Sequence, residues 1–248
     1  MNVFRYMLFC VLISLCVCTR AQGYIIELAA TDSTPAMNVY HPITPCPEEG
    51  YPVLYLFHGI RGNHASWVEK GKVCSTVDSL IGIQAIVPPI IVMPYCFTRS
   101  REDQYNRIFT RYDDLRRGRF EQIFPTMMAY IEENFPIAQD RSQRFIAGLS
   151  SGARQALNLV DTARCSVVGL FSPVLHCSEY PLPGEDMPFY WITVGDRDAF
   201  RPETKQFARY LEKHHLPYKM GWAEGKHTWD VWETVLPDFL LFVLGIKE

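Results

Sequence analysis

Short apolar runs recur along this chain, separated by stretches with helical period. Tyr24 to Leu28 and Met37 to Tyr40 come first, around a Thr31-Asp32-Ser33 turn, and predict an antiparallel hairpin at a sheet edge. The pattern then changes. Val53 to Phe57, Ile90 to Pro94, Arg144 to Gly148, Ser166 to Phe171, Phe189 to Val194 and Tyr218 to Trp222 are near-continuous apolar runs, which suit strands buried on both faces. Between them, Phe120 to Asn134 sets Ile123, Met127, Tyr130 and Ile131 at helical spacing and stops before Pro136. Gly152 to Ala163 puts Ala153, Ala156, Leu157 and Val160 on one face, and Thr204 to Lys213 carries Phe207, Tyr210 and Leu211. A last helix is expected over 229–244. Strand and helix alternating over residues 23–248 predict a single α/β domain, a mostly parallel central sheet flanked by helices.

The N-terminus stands outside this pattern. Met1 to Arg5 carries one positive charge, Tyr6 to Cys18 is apolar, and Thr19 to Gly23 restores polarity. That order predicts a secretory signal peptide over residues 1–22. The apolar run falls short of the roughly 20 residues a membrane span requires, so no stable membrane insertion is expected once the leader is removed. A secreted or periplasmic location follows. Five cysteines lie beyond the leader: Cys46, Cys74, Cys96, Cys165 and Cys177. Their scatter, without any C-x-x-C pair, argues against a metal site. An oxidising compartment permits up to two disulfides among them, and all five are equally compatible with buried free thiols.

Composition adds little. With 48% hydrophobic and 21% charged residues and a net charge of -3, the 248-residue chain is ordinary globular protein with no global signal for nucleic acid. Nothing in the pattern specifies an oligomeric state. The stretch from Tyr95 to Arg119 contains seven arginines with acidic residues interleaved, and is expected as a long loop, either a solvated surface or a wall over a substrate site.

The decisive segment is Gly148-Leu149-Ser150-Ser151-Gly152, between a β-run and a helix. In G-x-S-x-G the serine occupies a strained strand-to-helix turn, and glycine two residues before and after leaves room for it. This is the nucleophile elbow of the α/β-hydrolase fold. A serine hydroxyl needs a base, the base needs a carboxylate, and in this fold they follow in the order Ser, Asp or Glu, His. His214 and His215 end a helix before the last strand, at the wrong end of the sheet. His227 follows that strand and is the expected base. Gly195-Asp196-Arg197-Asp198 offers two carboxylates; Asp198, deeper in its loop, is favoured, leaving Asp196 as a turn aspartate. His58 precedes the serine and reads as a structural residue of the loop after Val53 to Phe57. Backbone N–H groups of Ser151 and Ile60 are the expected oxyanion donors.

Tyr51-Pro-Val-Leu-Tyr-Leu-Phe-His-Gly59 with Gly62-Asn63 and Ser66-Trp67, then Gly148-Leu-Ser-Ser-Gly152, Gly195-Asp-Arg-Asp198 and His227-Thr-Trp-Asp-Val-Trp232, together resemble the putative esterase (esterase D-like) family. That family includes feruloyl and acetylxylan esterases, S-formylglutathione hydrolase, tributyrin esterases and mycolyltransferases. The resemblance covers nearly all of residues 23–248. It implies Ser150, Asp198 and His227 as a triad, Ile60 and Ser151 as the oxyanion site, and no metal or organic cofactor. Family members usually read G-x-S-M-G-G; Ser151 and Ala153 depart from this. The expected activity is ester hydrolysis on a small-molecule or polysaccharide-linked substrate, with acetyl or feruloyl groups suggested by analogy and Trp67 and Trp229 as candidate pocket residues. An acyltransferase with the same triad, or a non-catalytic binding protein of the same fold, are the alternatives.

Overall fold

The computed structural model describes residues 21–96, 119–175, 180, 184 and 186–246. Residues 1–20 of the expected leader, residues 97–118 of the arginine-rich stretch, and Cys177 lie outside these. Eight strands form one sheet: β1 (Gly23–Leu28), β2 (Met37–Pro42), β3 (Val53–Phe57), β4 (Ile90–Pro94), β5 (Arg144–Leu149), β6 (Val167–Phe171), β7 (Phe189–Gly195) and β8 (Tyr218–Ala223). Their spatial order is β1-β2-β4-β3-β5-β6-β7-β8. β1 pairs antiparallel with β2, and β2 antiparallel with β4. Every other pairing is parallel. The hairpin thus closes one edge of a parallel sheet, the α/β-hydrolase arrangement expected from the apolar pattern.

Every residue of β3, β4 and β5 is buried, because helices cover both faces. The alternation of side chains divides the core in two. Val53, Tyr55 and Phe57 pack with Phe124, Met127, Ile131, Ala156 and Phe207. Those partners come from α3 (Arg119–Asn134), α4 (Ser151–Asn158) and α6 (Arg201–Lys213). Leu54 and Leu56 face the other way, onto Val73, Val77, Trp232, Val235 and Phe239. These belong to α2 (Val73–Gly82) and α7 (Trp229–Leu244). Each fully buried side chain of this size contributes about 1.5–3 kcal/mol.

Two departures from the sequence pattern are local. The helix expected over 152–163 breaks at Leu159 into α4 and a short α5 (Val160–Ala163). The Leu159 side chain turns into the core there, and its N–H is shared between the carbonyls of Gln155 and Ala156, both at 3.2 Å. Two helices went unanticipated: α1 (Ser66–Glu69) and α2. The cysteines within the described residues, Cys46, Cys74, Cys96 and Cys165, are free thiols.

Candidate active site

The strand-to-helix turn after β5 holds Ser150 at φ 56°, ψ -121°, a conformation that residues with a Cβ rarely adopt. The neighbouring strand imposes it. Ser150 N–H donates to the Phe171 carbonyl at 2.8 Å, and the Ser150 carbonyl accepts from Ala153 N–H at 3.1 Å. The flanking glycines are required by contact. A Cβ on Gly148 would lie 2.4 Å from the Gly152 carbonyl oxygen, and one on Gly152 would lie 2.3 Å from that of His58. The second contact is with the loop after β3, so the motif also sets how closely that loop approaches the elbow.

Two further loops, after β7 and β8, converge on Ser150. His227 Nε2 is 2.8 Å from Ser150 Oγ, and His227 Nδ1 is 2.9 Å from Asp198 Oδ2. Because a carboxylate only accepts, Nδ1 carries the hydrogen and Nε2 is left to accept from the serine hydroxyl. The Asp198 side chain is fully buried, and Oδ1 accepts from Phe200 N–H at 2.9 Å. Burial pushes this carboxyl upward. Hydrogen bonds from the His227 ring and the Phe200 N–H outweigh it and hold the group below the usual carboxylate range. The imidazole packs at a steep angle against two aromatic rings, Phe200 at 4.9 Å and Trp232 at 5.0 Å between centroids. Asp196 takes the separate role expected of a turn aspartate: its Oδ1 accepts from Gly225 N–H at 2.8 Å and ties the β7 loop to the β8 loop.

The loop after β3 completes the site. His58 is buried, with Nδ1 donating to the Gly59 carbonyl at 2.8 Å and Nε2 accepting from Cys96 N–H at 3.2 Å. Both ring nitrogens are engaged with backbone, as a structural histidine requires. Ile60 N–H donates to the Ser151 hydroxyl at 2.7 Å. Beside Ser150 and His227 opens a cleft of about 350 Å³, walled by Ile60, Arg61, Lys70, Leu149, Trp229 and Trp232.

The expected site residues distribute as follows. Ser150, His227 and Asp198 are joined by hydrogen bonds, and Ile60 and Ser151 adjoin them. Trp229 lines the cleft. Trp67 is 1% exposed, donates its indole N–H to the Phe57 carbonyl at 3.0 Å, and packs edge-on against Trp229, which puts it behind the cleft wall. His214 and His215 lie at the end of α6, before β8 and far from the elbow in the topology. Arg61 and Lys70 in the cleft were not singled out by sequence; neither carries a motif, and only the path of the β3 loop and α1 brings them there.

A family model described as putative esterase matches residues 29–243. An endo-1,4-beta-xylanase/feruloyl esterase of Xylanibacter ruminicola is 30% identical over 180 residues, 70% of this chain. The chain spans 24% of that protein's length. Among solved structures, a ferulic acid esterase matches with a TM-score of 0.75 at 22% identity, covering 91% of this chain and 98% of that one. A ferulic acid esterase from Anaeromyces mucronatus, in complex with ferulic acid, matches with a TM-score of 0.68 at 19% identity, covering 88% of this chain and 89% of the other.

Proposed function

Because the chain belongs to the putative esterase family, serine hydrolases that act on ester bonds, we propose that it is a carboxylesterase working through Ser150, His227 and Asp198. The observation that carries this reading is the unbroken hydrogen-bond chain Ser150–His227–Asp198 at the mouth of a cleft. Ser150 Oγ attacks the ester carbonyl carbon while its proton passes to His227 Nε2. The carbonyl oxygen becomes an oxyanion. Asp198 keeps Nδ1–H oriented and stabilises the imidazolium. Collapse breaks the bond to the alcohol, which leaves with the proton from Nε2, and Ser150 retains the acyl group. Water repeats the sequence and releases the acid. Ser151 N–H belongs to the first turn of α4, where amides have no acceptor within the helix and the helix end favours negative charge. It is the proposed backbone donor to the oxyanion; Ile60 N–H, expected from the sequence as the second, gives its one hydrogen to the Ser151 hydroxyl and only borders the site.

The substrate we propose is an acetyl or feruloyl ester carried by a polysaccharide. Support comes from the feruloyl esterase relatives and from Trp229 and Trp232, which give the cleft an aromatic wall for a flat acyl group. Export by a leader over 1–22, with 23–248 as one catalytic domain, completes the reading.

The test uses the purified protein with methyl ferulate, acetylated xylan and p-nitrophenyl butyrate, each against Ser150→Ala. Wild type is expected to release acid from at least one of them, and Ser150→Ala to lose about 10⁴-fold or more in turnover. Retention within roughly tenfold would overturn the nucleophile assignment. Added alcohol or sugar acceptors separate hydrolysis from acyl transfer by product.

A further inference from the structure

A backbone amide has one hydrogen. While Ile60 N–H donates to Ser151 Oγ at 2.7 Å, it has none to offer a carbonyl oxygen in the cleft. The hydroxyl is in the opposite position. Its oxygen accepts from Ile60, and its own proton meets no acceptor among the described residues. Ser151 is 8% exposed, so its side chain is mostly withdrawn from bulk water. A buried donor without a partner is costly, and it gains most from an acceptor that arrives carrying charge. Ser151 directly follows Ser150, and its hydroxyl is bonded to Ile60, which lines the cleft beside Ser150. The one strong acceptor that forms there is the oxyanion created by attack of Ser150.

We propose that the Ser151 side chain is a catalytic donor, its hydroxyl standing between Ile60 N–H and the oxyanion and donating to the latter. This rests on the reading of Ser150 as nucleophile and deepens it. Ile60 N–H then acts from behind, because a hydroxyl that accepts a hydrogen bond becomes a stronger donor in turn. The oxyanion receives two direct donors from a single residue, Ser151 N–H and Ser151 Oγ–H. Both are poised before substrate enters, and the second matters most once charge has developed on the oxygen.

The full chain is assayed with p-nitrophenyl butyrate as wild type, Ser150→Ala, Ser151→Ala, and the shape-matched pair Ser151→Thr and Ser151→Val. Inhibition by a trifluoromethyl ketone, which adds to a serine hydroxyl to give a stable oxyanion, is measured on each variant that retains Ser150. Ser151→Ala and Ser151→Val are expected to lose about 10–100-fold in kcat with KM within roughly threefold. Ketone inhibition should weaken by the same factor as kcat. Ser151→Thr, which keeps the hydroxyl, should stay within about fivefold of wild type. If Ser151→Ala does not fold, the Thr and Val pair decides. Ser151→Ala at or above the wild-type rate, a loss confined to KM with ketone inhibition unchanged, or equal activity of Thr and Val overturns the role. Activity surviving in Ser150→Ala would instead overturn the nucleophile reading itself.

Discussion

Asp196 and Asp198 stand two residues apart after β7 and turn their carboxylates to different partners. Asp198 Oδ2 meets the His227 ring at 2.9 Å, and Asp196 Oδ1 meets the Gly225 amide at 2.8 Å. One addresses the imidazole, the other the backbone of the loop that delivers it. Asp198→Asn should therefore lower kcat by about 10³–10⁴-fold. Asp198 accepts through both oxygens and an amide offers one, so that with the oxygen kept on the Phe200 N–H an NH2 faces Nδ1 and favours the wrong tautomer. Asp196→Asn keeps an acceptor oxygen for Gly225 and should cost less than about tenfold. Steady-state kinetics of the two variants make the comparison. Equal losses would count against the assignment of Asp198.

The backbone at Ser150 stores strain, at φ 56° and ψ -121° on a residue with a Cβ. Ser150→Ala and Ser150→Gly both remove the nucleophile and should be equally inactive. They should differ in stability. Glycine reaches this conformation without a Cβ penalty, so Ser150→Gly is expected to be the more stable by about 1 kcal/mol in urea unfolding. A more stable alanine variant would show that the turn is not strained.

Gly152→Ala brings a Cβ to 2.3 Å from the His58 carbonyl oxygen, and Gly148→Ala brings one to 2.4 Å from that of Gly152. Both obstacles are backbone and cannot rotate away. Each substitution should cost about 1–3 kcal/mol and also displace Ser150, so that unfolding midpoint and kcat fall together. An unfolding midpoint unchanged from wild type would mean that the loop after β3, for Gly152→Ala, or the start of α4, for Gly148→Ala, yields more easily than its packing implies.

Burial lowers the His58 imidazole from 6.5 to about 4, only partly opposed by its hydrogen bond to the Gly59 carbonyl. Between those two values the unfolded chain takes up a proton that the folded chain refuses. Stability therefore rises as pH climbs through this window and levels off above it, a contribution of about 3 kcal/mol. Going from pH 7 to pH 4 should cost the wild type that much more than it costs His58→Gln, measured by urea unfolding at each pH. Parallel pH profiles for the two proteins would exclude His58 as the source.

The central strands were legible because burial on both faces writes itself as an uninterrupted apolar run, as in Val53 to Phe57. β8 departs from that expectation, being an edge strand with no buried residue, and was legible from its place in the alternation. Ser150 and His227 were legible from local motif and chain order. α2 was not, although Val73, Val77, Leu80 and Ile81 form a helical stripe. It begins from Lys72 in a left-handed conformation with no side-chain cap, so the usual start signal is missing. The break at Leu159 depends on which way one side chain turns into the core. The bond between Ile60 and Ser151 joins residues 91 positions apart, and the replacement of a family methionine by serine gave no hint that the hydroxyl would reach across to the loop after β3.

The hydrogen-bond chain at the site also makes the enzyme a reporter of its own assembly. Ser150 and His227 are 77 residues apart and His227 and Asp198 are 29 apart, each at the carboxyl end of a different strand. β8, the strand that delivers His227, lies at one edge of the sheet and has β7 as its one strand partner among the described residues. During refolding, a species lacking that last pairing can have most of its sheet and most of its core yet no turnover. Recovery of activity should thus lag the recovery of circular dichroism, and the interval between them times the arrival of the final strand.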